Sequence, residues 1–208
     1  MIGGARSVNV VQPDRRPRGE GSRLHFRTDP ESPIRQPQVG VRTHVLPGLG
    51  DGLAAAIQTI REVGDAPALD DVVADAFPGG RLLVQADELQ RVALRMEMPG
   101  IRRPLEANEL SDGTLRYLCL VAALLTPRPP ELLALNEPET SLHPQLLPPL
   151  GRLIARAGRS SQVFVTTHSR QLADQISRNT ETRTIELALV EGETRISGQK
   201  PDEEIDGD

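Results

Sequence analysis

From residue 52 onward the apolar positions fall into two rhythms, one near 3.6 and one of two. Leu53, Ala56, Ile57 and Ile60 stand at i, i+3, i+4 and i+7. That spacing predicts an amphipathic helix over 52–63, stopped by Gly64. A second short helix is expected from Pro67, in its first turn, to Phe77, where Pro78, Gly79 and Gly80 end it. The rhythm then shortens. Val92, Leu94, Met96 and Met98 alternate with Ala93, Arg95 and Glu97, so 81–86 and 91–98 read as a hairpin with one buried face.

The second half of the chain is more apolar. Residues 115–125 predict a strongly buried helix closed by Pro127, and 132–135 a short strand covered on both faces. Pro144, Pro148 and Pro149 interrupt the stretch after it, so the next regular helix is expected over 149–157. Residues 162–166 form another buried strand, and Ser169 caps a helix over 170–177. Ile185, Leu187 and Leu189 alternate, Glu191-Gly192 turns, and 194–196 returns as a hairpin. Strand, helix, strand, helix from 132 to 177 implies parallel strands joined by crossover helices, an α/β fold. In such sheets ligands collect at the carboxyl ends of the strands. Asn136-Glu137 and Thr167-His168 both stand at such ends.

The first forty residues read differently. Residues 11–40 are rich in Pro, Arg, Asp and Gly with no helical or strand period, which predicts a mobile or loosely packed arm. The organisation expected is an arm over 1–44, an ordered portion over 45–200 and a solvated acidic tail over 201–208. The arm's basic run, Asp14-Arg15-Arg16-Pro17-Arg18, could touch phosphate, and a solvated linker is the preferred reading.

Composition narrows the chemistry. A formal charge of −5 over 208 residues supplies no general basic field for nucleic acid. Aromatic residues are 2% of the chain, so there is no stacking platform for single strands, and DNA is not indicated. The single cysteine, Cys119, excludes an internal disulfide and a cysteine-based zinc cluster. His25, His44, His143 and His168 are too scattered to suggest a metal site of their own. No apolar run approaches the roughly 20 residues of a membrane span. The first twenty residues contain no signal core, so a cytoplasmic location and no membrane are expected.

Three segments carry the functional signal. Leu110-Ser111-Asp112-Gly113-Thr114-Leu115-Arg116 leads directly into an apolar helix. There Ser111 can cap the helix, Gly113 lets backbone approach an anion, and the helix start offers unpaired N–H groups. The second segment is LLALNEPETSLHP over 132–144, and the third is Val163-Phe164-Val165-Thr166-Thr167-His168-Ser169. Each alone has a plain structural reading: a helix cap, a solvated strand exit, a hydrogen-bonded histidine.

Together, in this order, they resemble the second half of the ATPase core of ABC-type, RecF-like and SMC-like proteins, above all the bacterial AAA-21-like AAA-family ATPases. LSDGTLR looks like the signature motif, LLALNEPETSLHP like the Walker B strand with its D-loop, and FVTTHS like the switch-histidine loop. The resemblance covers roughly 45–200. It implies a partial P-loop NTPase fold, ABC-ATPase-like, with parallel strands, flanking helices and β-hairpins. It implies ATP and Mg2+ as ligands and a composite site, in which one chain brings the phosphate loop and another the signature. Under it, Glu137 orients or deprotonates the attacking water and His168 contacts the γ-phosphate. Ser111, Asp112 and Gly113 clasp the γ-phosphate of a nucleotide held by another protomer, while Thr140, Ser141 and Leu142 lie on the seam between protomers.

Two departures qualify that picture. Asn136 stands where the pattern has Asp; it keeps an oxygen acceptor but loses the charge that magnesium favours, so weak metal retention is expected. More seriously, a phosphate loop needs G-x-x-x-x-G-K-[S/T]. The only lysine is Lys200, followed by Pro201; every other basic residue in the Lys and Arg count of 24 is Arg. The glycine cluster Gly48-Leu49-Gly50-Asp51-Gly52 carries no lysine and reads as a turn. The expectation is therefore the signature, Walker B and switch-histidine half of an ATPase. It would work as a homodimer or with a partner that supplies Walker A, and its apolar strand edges would stay exposed until completed. A non-catalytic interaction module and a truncated fragment without activity remain open as alternatives.

Overall fold

Most of the described strands fall where the apolar spacing predicts them, and four short ones come from segments without strand rhythm. The computed structural model describes residues 6–11, 21–24, 26, 28–39, 51–88, 91–190 and 193–197. In chain order the elements are β1 (Arg6–Val11), β2 (Gly21–Leu24), a 3-10 turn (Pro33–Arg35), β3 (Gln38–Val39), α1 (Leu53–Val63), α2 (Ala66–Ala76), β4 (Arg81–Ala86), β5 (Arg91–Glu97), β6 (Leu105–Glu106) and a second 3-10 turn (Ala107–Glu109). After these come α3 (Asp112–Leu124), β7 (Leu132–Asn136), a third 3-10 turn (Pro144–Leu146), α4 (Leu147–Ala157), β8 (Gln162–Thr167), α5 (Arg170–Asn179), β9 (Thr182–Val190) and β10 (Glu193–Ile196).

A six-stranded sheet runs in the order β10-β9-β1-β8-β7-β2. Its functional centre is parallel: β2 pairs with β7 and β7 with β8, so Asn136 lies opposite Thr166. β1 then pairs with β8 in the opposite sense, Ser7 facing Thr167, and β9 and β10 continue antiparallel. The crossover from β7 to β8 through α4 is the unit expected from the 132–177 pattern. A second sheet, β3-β5-β4 with β6 attached, is antiparallel. Val92, Leu94 and Met96 of β5 are buried, as their alternation predicts.

Within residues 11–40, expected above as a mobile or loosely packed arm, several described segments take part in the fold. Gly21–Leu24 is a strand of the main sheet, Phe26 and Ile34 join the core, and Arg35 is buried. Ladder bonds use backbone groups, so a four-residue strand needs no side-chain period. The expectation of exposed apolar strand edges is corrected, because β2 flanks β7 and β1 flanks β8. The basic run at 14–18, His25, His44, Lys200 and the tail lie outside the described residues.

α3 is the hub. Leu115, Tyr117, Leu118, Cys119 and Val121 are fully enclosed, and each such leucine contributes about 2 kcal/mol by burial. The helix packs on α1 and α4. Burial pushes the Cys119 thiol and the Tyr117 phenol well above their usual ranges, so both stay neutral. α4 opens with Pro148 and Pro149 in its first turns, two residues earlier than expected. Its Gly151 allows a close crossing of α5: a Cβ there would stand 2.5 Å from Cβ of Gln175. That crossing holds α5, and with it the turn bearing His168, against the sheet. Among the described residues no helix is long and apolar enough to cross a membrane.

Candidate functional site

Two groups of side chains form at the carboxyl ends of β7 and β8 and at the start of α3. In the first, β7 delivers Asn136 and Glu137, and β8 delivers Thr166, Thr167 and His168. The Glu137 N–H donates to the Thr166 carbonyl at 2.9 Å, extending the strand pairing by one residue. Glu137 then adopts φ 45°, a left-handed conformation that a side chain other than glycine's disfavours. Such strain costs on the order of 1 kcal/mol or more and collects at functional positions. Pro138 comes directly after it, and the turn is closed by Thr140 N–H donating to the Glu137 carbonyl at 3.0 Å.

The turn brings the Glu137 carboxylate to the imidazole. Oε1 of Glu137 lies 3.1 Å from Nε2 of His168, and both side chains are partly open to solvent. The Thr166 hydroxyl donates to Oδ1 of Asn136 at 2.8 Å. The Glu139 Oε1 atom receives the Thr167 hydroxyl and, at 3.0 Å, the His168 backbone N–H. Thr167 Oγ1 in turn accepts from Ser169 N–H at 2.9 Å, and Ser169 Oγ caps α5 by accepting from Leu172 N–H. The other Glu139 oxygen is buried without a hydrogen-bond partner, as is Nε of Arg116 on α3. Burial loosens the Arg116 proton, while the nearby Glu139 carboxylate works to retain it.

The second group surrounds the start of α3. Ser111 caps the helix by accepting from Thr114 N–H at 3.1 Å. Asp112 occupies the first turn, where the helix dipole favours an acid, and is paired with Arg35. Arg35 is 7% exposed at its side chain, yet its guanidinium is fully used. Besides Asp112 it donates to the carbonyls of Thr28 at 2.8 Å and Leu110 at 2.9 Å, and to those of Asp29 and Ala107. It thereby ties the segment after β2 to the loop before α3. On the other side of that loop, Glu109 accepts from both Arg103 and Glu106 N–H, and these bonds hold its carboxyl down to about 2.

Gly113 abuts the turn after β7. A Cβ on it would stand 2.6 Å from the Ser141 carbonyl oxygen. Ser141 is itself left-handed, at φ 65°. The two turns frame an open cleft of about 670 Å³, lined by Ser111–Thr114 on one wall and Ser141, Leu142 and His143 on the other. Glu137 and His168 thus meet directly, whereas Ser111, Asp112, Gly113 and Ser141 share a cleft that includes neither; Thr140 is exposed.

Magnesium can be tested against the donor set. Asn136 offers one neutral oxygen, already engaged by Thr166, and Glu137 faces His168. Among the described residues no group of three or more His, Cys, Asp or Glu side chains could hold a metal ion. The residues present do not fit a resident magnesium site. Glu139, Thr166 and Thr167 lie inside the three motifs, yet sequence reasoning gives them no role; their positions at the strand ends are the available signal. Arg35 has none, since its partners around α3 lie more than seventy residues away.

The fold is that of the ATPase heads of SMC proteins. An Smc head domain with coiled coil and joint from Pyrococcus yayanosii superposes with a TM-score of 0.51 at 19% identity, over 67% of this chain and 27% of that one. An Smc head from Pyrococcus furiosus, bound to the C-terminal domain of ScpA, gives 0.52 at 16% identity, over 67% and 35%. A structure described under "ATP-driven dimerization and DNA stimulated activation of SMC ATPases" gives 0.52 at 14%, over 69% and 87%. The chain thus spans about a quarter to a third of the two Pyrococcus chains. No curated protein matches it. Residues 20–174 match the AAA_21 family, described as "AAA domain, putative AbiEii toxin, Type IV TA system", and the chain belongs to that family. By family the chain carries an AAA domain, and its fold is shared with SMC heads.

Proposed function

We propose that this chain supplies the hydrolytic and signature half of an ATP-hydrolysing site, the phosphate loop coming from another stretch of polypeptide. The observation that carries the reading is the Glu137–His168 pair, 3.1 Å apart at the ends of adjacent parallel strands. ATP is the substrate. Glu137 accepts the proton of the attacking water at its carboxylate, and His168 Nε2 orients that carboxylate and meets the γ-phosphate. Ser111 and Gly113, with the first N–H groups of α3, face the phosphate of a nucleotide bound across a protomer seam, and Thr140 and Ser141 lie on the same seam. Gly113 has a packing role as well, because only glycine fits against the Ser141 carbonyl.

Asn136 favours a second reading. With a neutral residue at the metal-proximal position, the chain would dock on an intact partner without hydrolysis. Turnover by the purified chain, alone and mixed with a polypeptide that carries G-x-x-x-x-G-K-[S/T], separates the two. Hydrolysis is expected only in the mixture, and Glu137→Gln abolishes it. Asn136→Asp raises turnover at limiting magnesium. A mixture that stays silent even with Asn136→Asp supports docking. Turnover by the chain alone refutes the need for a second polypeptide.

A further inference from the structure

Glu139 lies two residues past Glu137, and its carboxylate faces inward instead of toward the imidazole. One of its oxygens takes two bonds from the opposite turn, the Thr167 hydroxyl and the His168 N–H. Bonds to an ionised acceptor are shorter and stronger than neutral ones. They pin the backbone of the very residue whose ring meets Glu137. Thr167 extends the hold by accepting Ser169 N–H, so the whole β8–α5 turn is shaped from the β7 side. Thr167 is itself 1% exposed, which leaves its hydroxyl little access to water as a substitute.

The second Glu139 oxygen is buried and has no hydrogen-bond partner. An orphaned buried acceptor is destabilising. The arrangement does, however, set the relation between a strained Glu137 and His168.

We infer that Glu139 is the positioning residue of the site: it holds His168 through the main chain so that the imidazole meets Glu137. This rests on the reading of Glu137 and His168 as the hydrolytic pair. Glu139 touches neither the ring nor the substrate and is not a catalytic residue.

The test uses 15N spectra of the imidazoles in the full chain, with His143 as internal reference. Glu137→Gln moves the His168 ring signals by removing their partner. Glu139→Ala moves them in the same direction without touching the ring, and Glu139→Gln, which keeps an acceptor oxygen, restores them. Thr167→Val removes one of the two bonds with little change of shape, gives an intermediate shift, and carries the test if the alanine variant does not fold. Unmoved His168 signals in folded Glu139→Ala or Thr167→Val protein overturn the proposal. In the completed enzyme, Glu139→Ala lowers kcat about 100-fold, the scale of a misplaced reacting group, with KM for ATP unchanged. Unchanged kcat with raised KM overturns it too. Ring signals that respond in a protein with no turnover under any completion support the positioning role and sink the ATPase reading instead.

Discussion

Single atoms decide how the turn at the start of α3 is built. At Gly113 a Cβ would stand 2.6 Å from a backbone oxygen, and the Ser141 that owns it is already left-handed, with little room to retreat. Gly113→Ala is therefore expected to cost about 1–3 kcal/mol, as overpacking does. Urea unfolding measures it, and an unchanged midpoint would mean that the turn gives way. Glu109 carries a different prediction. Its carboxyl is held at about 2 instead of the ordinary 4.5, chiefly by the Arg103 side chain and then by Glu106 N–H. A depressed folded value means its contribution is complete above 4.5 and disappears as the pH falls through 2. Both partners are exposed, so the contribution is small. A 13C titration of the Glu109 carboxyl should show its midpoint near 2, together with faster exchange of the Glu106 amide below it; a midpoint near 4.5 contradicts this.

Between elements, the decisive contact is Arg35. It brings together the segment after β2, the 3-10 turn before α3 and the first turn of α3, donating to the carbonyls of Thr28 and Leu110 and to the Asp112 carboxylate. Arg35→Ala should destabilise the fold by about 2–3 kcal/mol, because several buried acceptors lose their donor together. Arg35→Lys should recover little of this, since a single ammonium cannot span acceptors that a planar fork reaches at once. Thermal unfolding of both variants checks it, and full recovery by lysine would show that charge alone matters. The ion pairs Arg152–Asp75 and Arg156–Asp65, which join α4 to α2, are exposed and of the kind worth at most about 1 kcal/mol each. The α2–α4 contact therefore owes more to its apolar residues than to those charges.

At the level of the whole molecule the proposed composite site carries its own prediction. The Ser111–Gly113 turn lines a cleft that does not include Glu137 or His168, an arrangement compatible with two groups serving nucleotide at a seam. Association with a polypeptide carrying a phosphate loop is thus predicted to require ATP and to be lost with ADP. Sedimentation of the mixture checks this; association of equal strength without nucleotide contradicts it.

Much of this was readable in advance, for local reasons. The helices at 53–63 and 66–76, the β4–β5 hairpin and the β7–α4–β8 crossover arise from apolar spacing and from Gly and Pro stops within a few residues. Glu137 and His168 were legible because each ends a buried strand of a parallel pair, where side chains must leave the sheet at one edge. The partners of these residues were not. β1 and β2 join the sheet through backbone bonds, which leave no trace in side-chain rhythm. The contacts of Arg35 around the start of α3 and those of Glu139 reach across 72 to 77 and 28 to 29 residues respectively, distances that only the folded chain closes. The sequence alone determined which residues stand at the strand ends. Tertiary packing decided which carboxylate faces the imidazole and which one holds it in place, because that choice depends on the path of two turns past one another.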